Sequence, residues 1–175
     1  MQLIDREVRN TVSLYDTALM SLISLFQSHA LDSFPQPLKN TLLFHKASEL
    51  PSNDGFYVLN TAGEVIATSV PDVDLGQNVT ENPWFKVHRE LDSGEVYISR
   101  PYQNSGKDGD WSIRFSRRMS APDGSFAGVA VALMKMSYFQ NLFRGLDLGP
   151  RPLCRRAGVV ASVAKARPVP GFAPG

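Results

Sequence analysis

The sequence predicts an α+β domain: an antiparallel five-stranded sheet with a long N-terminal helix on one face and short helices over the other. Three observations predict it. Apolar residues recur at steps of four and three from Val8 to Phe26. The stretch "RRMSAPDGSFAGVAVALM", residues 117–134, carries a basic strand through a Pro122-Asp123-Gly124 turn into an almost unbroken apolar strand. The order of periodic segments is long helix, two strands, helix, three strands, helix, and such an order buries its apolar faces as packed layers.

Val8, Val12, Tyr15, Leu19, Leu22 and Phe26 form the stripe of the first helix, within residues 1–30, and Leu14, Ala18, Ile23 and Leu25 widen it. A helix this apolar has surface for its own sheet and for a second helix or a partner subunit. Pro35 and Pro37 end it, because neither proline fits a helix interior, and a second helical piece is expected over Leu38–Ala47. "GFYVLNTAGEVIATS" reads as two strands, Phe56–Asn60 and Val65–Thr68, around a Thr61-Ala62-Gly63 turn. Asn82 offers an N-cap and Pro83 a first helical residue. Trp84, Val87, His88 and Leu91 then share a helical face before Gly94. Strands follow at Val96–Tyr102 and Trp111–Ser120, joined by the polar loop Asn104–Asp110. The residues from Phe126 to Met134 suit a strand buried on both faces in the middle of the sheet. A short exit helix is expected over Ser137–Arg144.

Composition narrows the function. The chain has 175 residues, 43% hydrophobic and 20% charged, which fits one domain with one sizeable core. Its net charge of +1 hides an asymmetry. Residues 1–149 hold 13 Lys and Arg against 17 Asp and Glu, whereas the last 26 residues hold five bases and no acid. A mildly acidic body argues against nucleic acid as a partner, since phosphate binding needs a clustered basic surface. The longest apolar run falls well below the roughly 18 to 20 residues that span a bilayer, and the N-terminus lacks a signal-peptide layout. Cys154 is the only cysteine, so no internal disulfide is expected.

No chemistry for catalysis stands out. His29, His45 and His88 have no metal-ligand spacing to one another or to Cys154, and no nucleophile elbow or Gly-rich phosphate loop occurs, so neither a metal nor a cofactor is expected. The strand at 111–120 is more informative. Alternation puts Trp111, Ile113, Phe115, Arg117 and Met119 on one face and Ser112, Arg114, Ser116 and Arg118 on the other. A guanidinium on a central strand needs a partner, which is either a protein carboxylate such as Asp108 or Asp110, solvent, or an anionic ligand. Gly128, Ala130 and Ala132 share a face of the neighbouring strand and leave room there for a ligand or for a closely packed helix. Trp84, Tyr102 and Asn104 are expected to line one small cavity with Arg114, as aromatic walls with a few polar groups are usual in small-molecule pockets. His88, Trp111 and Ser116 complete the candidate ligand-binding set. Each member also has a structural alternative as a core, loop or ion-pair residue.

The succession "GFYVLNTAGEVIATS", "NPWF", "GEVYISRPY", "WSIRFSRRM", "PDGSFAGVAVAL" and "YFQNLF" resembles the Cache or PDC sensor domains, most closely the extracytoplasmic sensors of bacterial diguanylate cyclases, over about residues 5–149. The resemblance implies a PAS-like sheet behind the long N-terminal helix. It also implies a place on the periplasmic face of the inner membrane and a small ligand over the sheet that changes the output of a cytoplasmic domain. A weak homodimer through the N-terminal helix is expected as well. In the amino-acid-binding members an aromatic pair follows a helix Arg, and a Tyr and an Asp follow the next strand. Trp84-Phe85 and Tyr102 match this pattern, but Asn82 stands in place of the Arg, Asn104 in place of that Asp, and Leu133 near an amine-binding Asp. These departures make an α-amino acid a poor match; Arg114 points instead to a small polar or anionic ligand, and the alternative is a ligand-free dimerisation scaffold. No transmembrane helix and no GGDEF or EAL segment is present. Residues 150–175, rich in Arg, Ala, Pro, Val and Gly, depart from the family and read more readily as a frameshift or truncation product, expected to be disordered, than as a functional basic tail.

Overall fold

The computed structural model describes residues 2–45, 49–50, 52–70, 73–103 and 111–138. Helix α1 (Gln2–Gln27) lies over the sheet strands, and α2 (Gln36–Phe44) packs beside it. The second helix begins at Gln36, two residues before the expected Leu38, because Pro37 is accommodated in its first turn where no intrahelical N–H bond is required. Two strands follow, β1 (Asn53–Leu59) and β2 (Val65–Thr68), then α3 (Pro83–Glu90), two very short strands, β3 (Tyr97–Ile98) and β4 (Tyr102–Gln103), and the long pair β5 (Trp111–Ser120) and β6 (Phe126–Lys135). The exit helix expected over Ser137–Arg144 and the tail from residue 150 lie outside the described residues, apart from Ser137 and Tyr138.

The sheet is antiparallel throughout, in the order β2-β1-β6-β5-β3, with β4 also paired to β5. The strand expected over Val96–Tyr102 is broken in two. Ile98 pairs with Phe115 and Tyr102 with Ser112, so β3 and β4 span one residue more than the stretch of β5 they face, a bulge. Ser99 fills the gap: its N–H donates to the Arg114 carbonyl at 2.8 Å, and its hydroxyl accepts from the Arg114 N–H at 3.0 Å. Pro101 has no N–H to offer to a continuous ladder.

The β5–β6 hairpin closes as the turn chemistry predicts. Gly124 adopts φ +83° and donates to the Ala121 carbonyl, while the Asp123 carboxylate accepts from the Ser125 N–H at 2.9 Å. β6 is the central strand, and Gly128–Met134 are buried.

Each sheet face has its own core. On one face Val8, Val12, Tyr15, Leu19 and Leu22 of α1 meet Phe56, Val58, Ile113, Phe115, Ala130, Ala132 and Met134. Tyr15 stacks on Phe115 with centroids 4.7 Å apart. Arg117 and Asp16 form an ion pair that ties β5 to α1, and Arg117 also donates to the Gly94 carbonyl at 2.7 Å. On the other face Trp84 and Phe85 of α3 meet Tyr57, Leu59, Val129, Val131 and Leu133.

This arrangement decides between a ligand and a helix for the room left by Gly128, Ala130 and Ala132. The register pairs Phe115 with Ala132, Arg117 with Ala130 and Arg114 with Leu133, and directly opposed residues share a face. The small side chains therefore lie under α1, away from Arg114, and it is the helix that uses the space. The buried face of α3 is also displaced from the one expected: Trp84, Phe85 and His88 are buried, whereas Leu91 lies past the helix end and is 50% exposed. Asn82 holds the N-cap position in extended conformation, without a side-chain capping bond.

Candidate ligand-binding site on the α3 face

Arg114 sits mid-way along β5 and, by strand alternation, projects onto the α3 face. The ends of three elements meet there. Trp84 enters from the first turn of α3, Tyr102 from β4 and Tyr57 from β1, two strands away. The Arg114 guanidinium carbon lies 4.7 Å from the Trp84 ring centroid and 4.5 Å from that of Tyr102. Its Nε donates to the Tyr57 hydroxyl at 3.0 Å. A delocalised cation over two aromatic faces is electrostatically favourable, and the hydrogen bond fixes the plane of the fork. Among the described residues no carboxylate pairs with this guanidinium.

Tyr57 is buried, and burial pushes its hydroxyl up to about 12 in spite of the opposing charge of Arg114. Like any tyrosine it is a neutral phenol at physiological pH, and here it accepts from Arg114 and keeps its own proton to donate. The Tyr102 hydroxyl is raised for the same reason, desolvation by burial.

Farther along the face, His88 and Ser116 form a buried pair. His88 Nε2 lies 2.9 Å from the Ser116 hydroxyl, and the Tyr97 ring packs edge-on at 6.0 Å. Burial lowers the His88 imidazole to about 4, and the charge of Arg118, whose Nη1 donates to the His88 carbonyl at 2.7 Å, acts in the same direction. His88 is thus a neutral ring in the wall under α3. At the opposite end of the face the Ser112 hydroxyl donates to Asp54 at 3.3 Å, and Lys135 lies 3.6 Å from the same carboxylate.

Of the candidate set, the structure brings together Trp84, Tyr102 and Arg114, and it places His88 and Ser116 on the same face. Trp111 does not join them: it shares the face of Ile113 and Phe115 under α1 and is 42% exposed at the strand start. Asn104, with Asp108 and Asp110, lies outside the described residues. Tyr57 was not selected from the sequence. Its only signal there is a phenol in a strand whose neighbours Phe56 and Val58 are apolar. A separate cavity of about 330 Å³ opens between the end of α2 and the β1–β2 edge, lined by Asn40, Phe44, Asn53 and Thr68 among others, and holds none of the candidates. Among the described residues no group of three His, Cys, Asp or Glu side chains converges as a metal site would.

No family model and no curated protein sequence matches the chain. Solved structures do. The extracellular domain of a protein described as a histidine kinase, rpHK1S-Z16, superposes with a TM-score of 0.66 at 26% identity over 86% of this chain. The fold is that of extracellular sensor domains. The ligand-binding domain of the Pseudomonas aeruginosa PAO1 amino acid chemoreceptor PctC, in complex with GABA, superposes at 0.61 with 16% identity over 83% of this chain. The ligand-binding domain of the Campylobacter jejuni chemoreceptor Tlp3, in complex with 4-methylisoleucine, superposes at 0.53 with 15% identity over 79%. The chain spans 62%, 63% and 58% of these three structures. No helix among the described residues is long and apolar enough to cross a membrane.

Proposed function

We propose that this chain is an extracytoplasmic small-molecule-sensing module of a membrane-anchored bacterial signalling protein, non-enzymatic, with its ligand site on the α3 face around Arg114, Trp84, Tyr102 and Tyr57. The observation that carries this reading is the guanidinium poised on two rings with no protein carboxylate among the described residues, in a fold that known ligand-binding sensors share. Such an arrangement offers a small polar or anionic organic molecule a fixed, charge-assisted anchor. His88 and Ser116 then belong to the wall that positions α3 over the site. The sensor domain is residues 1–149, on the periplasmic face of the inner membrane, and its output lies in a cytoplasmic domain. The sequence resemblance favours a diguanylate cyclase for that output, and the structural neighbours a histidine kinase or chemoreceptor.

The test is a thermal-shift screen of the chain against small carboxylates, amines and nucleobases. A ligand at about 100 times its Kd adds roughly 2.7 kcal/mol to stability. At least one class should raise the melting temperature, and that rise should vanish in Arg114→Ala. Silence across all classes would contradict the sensing role. A second reading, a ligand-free scaffold acting through dimerisation, is favoured by Leu14 and Met20, which are 49% and 51% exposed on α1. Under that reading no compound shifts the melting temperature, and self-association is the measurable property.

A further inference from the structure

We infer that the ligand at the Arg114 site is a small organic carboxylate without a neighbouring ammonium group. The inference rests on the sensing role proposed above and concerns what the site accepts.

The guanidinium has five N–H donors, and one of them, at Nε, is engaged by the Tyr57 hydroxyl. Among the described residues the four Nη donors have no acceptor, so what remains available is the end-on edge of the fork, Nη1 and Nη2 side by side. Two parallel donors suit the two coplanar oxygens of a carboxylate. The Tyr57 hydroxyl, a neutral phenol already accepting from Arg114, adds a further donor beside them.

An ammonium finds nothing comparable. Arg114 already occupies one face of Trp84 and one face of Tyr102, and the guanidinium repels a second positive charge. Asp54, whose charge reaches Tyr102, is engaged by Lys135 and Ser112. Opposite Arg114 on β6 stands Leu133, with Val131 next on the same face, so the rest of the ligand meets apolar surface. A carboxylate on a short apolar or aromatic body satisfies all of these groups.

The experiment is calorimetric titration of the full chain with two matched sets: propionate, L-alanine and ethylamine, then 3-phenylpropionate, L-phenylalanine and phenethylamine. The expected result is binding of one or both carboxylates, with the amino acid of the same carbon skeleton weaker by about 10-fold or more and the amine silent. Arg114→Ala is expected to weaken the carboxylate by at least about 10- to 100-fold, since one charge-assisted hydrogen bond alone carries a factor of that order and the variant removes two. Tyr57→Phe keeps the packing and is expected to weaken it several-fold while the near-ultraviolet circular dichroism stays native. An amino acid that binds as tightly as its carboxylate partner, with Arg114→Ala abolishing both, overturns this inference and leaves the sensing role standing. Carboxylate binding that survives Arg114→Ala, or loss of the fold in ligand-free Arg114→Ala, also overturns it. If nothing binds in these sets or in the broad thermal screen, the sensing role itself fails.

Discussion

Lowering the pH from 7.5 to 4.5 removes stability that the fold draws from keeping His88 neutral. The ring is 2% exposed, bonded to Ser116 under α3, and flanked by the cationic Arg118. Its pKa falls from the ordinary 6.5 to about 4 in the folded protein. The unfolded chain therefore takes up a proton as pH drops through 6.5, whereas the folded chain resists until about 4, and stability declines across that interval. The contribution is complete above pH 6.5 and is lost as pH falls through about 4. A depression of this size corresponds to roughly 3 kcal/mol in all, most of it lost by pH 4.5. Carboxylates titrate in the same range, so the comparison is with His88→Gln, which keeps a polar group toward Ser116 but cannot ionise. Urea unfolding at pH 7.5, 6, 5 and 4.5 should show the wild type losing about 2 to 3 kcal/mol more than the variant. Parallel pH profiles for the two proteins would refute the reasoning and show that His88 protonates without leaving its place.

Ala130→Leu should destabilise the ligand-free chain by about 1 to 3 kcal/mol through overpacking beneath α1 and leave ligand affinity nearly unchanged, as checked by urea unfolding and titration. Gly128→Ala should be similarly damaging, because this residue has φ +135° and a Cβ would stand 2.1 Å from the Leu59 carbonyl oxygen; the melting temperature reports it. Leu19→Glu should abolish folding, since Leu19 is 0% exposed, so the interface test belongs to Leu14→Glu with Met20→Glu. That double variant should keep a native circular dichroism spectrum and lose the weak, concentration-dependent dimer expected in sedimentation. Unchanged self-association would exclude α1 as the contact.

The parts of this fold that were legible in the sequence are those set by local rules. The α1 stripe, the Pro122-Asp123-Gly124 turn, the start of α3 at Asn82-Pro83 and the buried central strand each follow from spacing or turn chemistry within a few residues. Where the sequence misled, the deciding contact was distant. Alternation within β5 and within β6 each gives two faces, but their relative phase depends on the pairing of Phe115 with Ala132. Without that register the side of the sheet on which Ala130 lies, and whether a ligand or a helix uses the room beside it, stays open. The break between β3 and β4 depends on a serine hydroxyl standing in for a ladder carbonyl, which no propensity anticipates. Arg114 with Trp84 and Tyr102 could be proposed as neighbours from residue type and a family pattern. Tyr57 could not, because the bond that gives it a role crosses 57 positions of sequence.

The most direct test of the proposed site uses Trp84 as its reporter. The chain has two tryptophans, so Trp111→Phe leaves Trp84 alone at the Arg114 guanidinium. Fluorescence of that variant is titrated with any compound that raises the melting temperature of the wild type. The account predicts a saturable change in Trp84 emission at the affinity measured by calorimetry, and its loss in Trp111→Phe with Arg114→Ala. A compound that stabilises the protein while Trp84 emission stays flat, in both backgrounds, would place the ligand elsewhere and contradict the account.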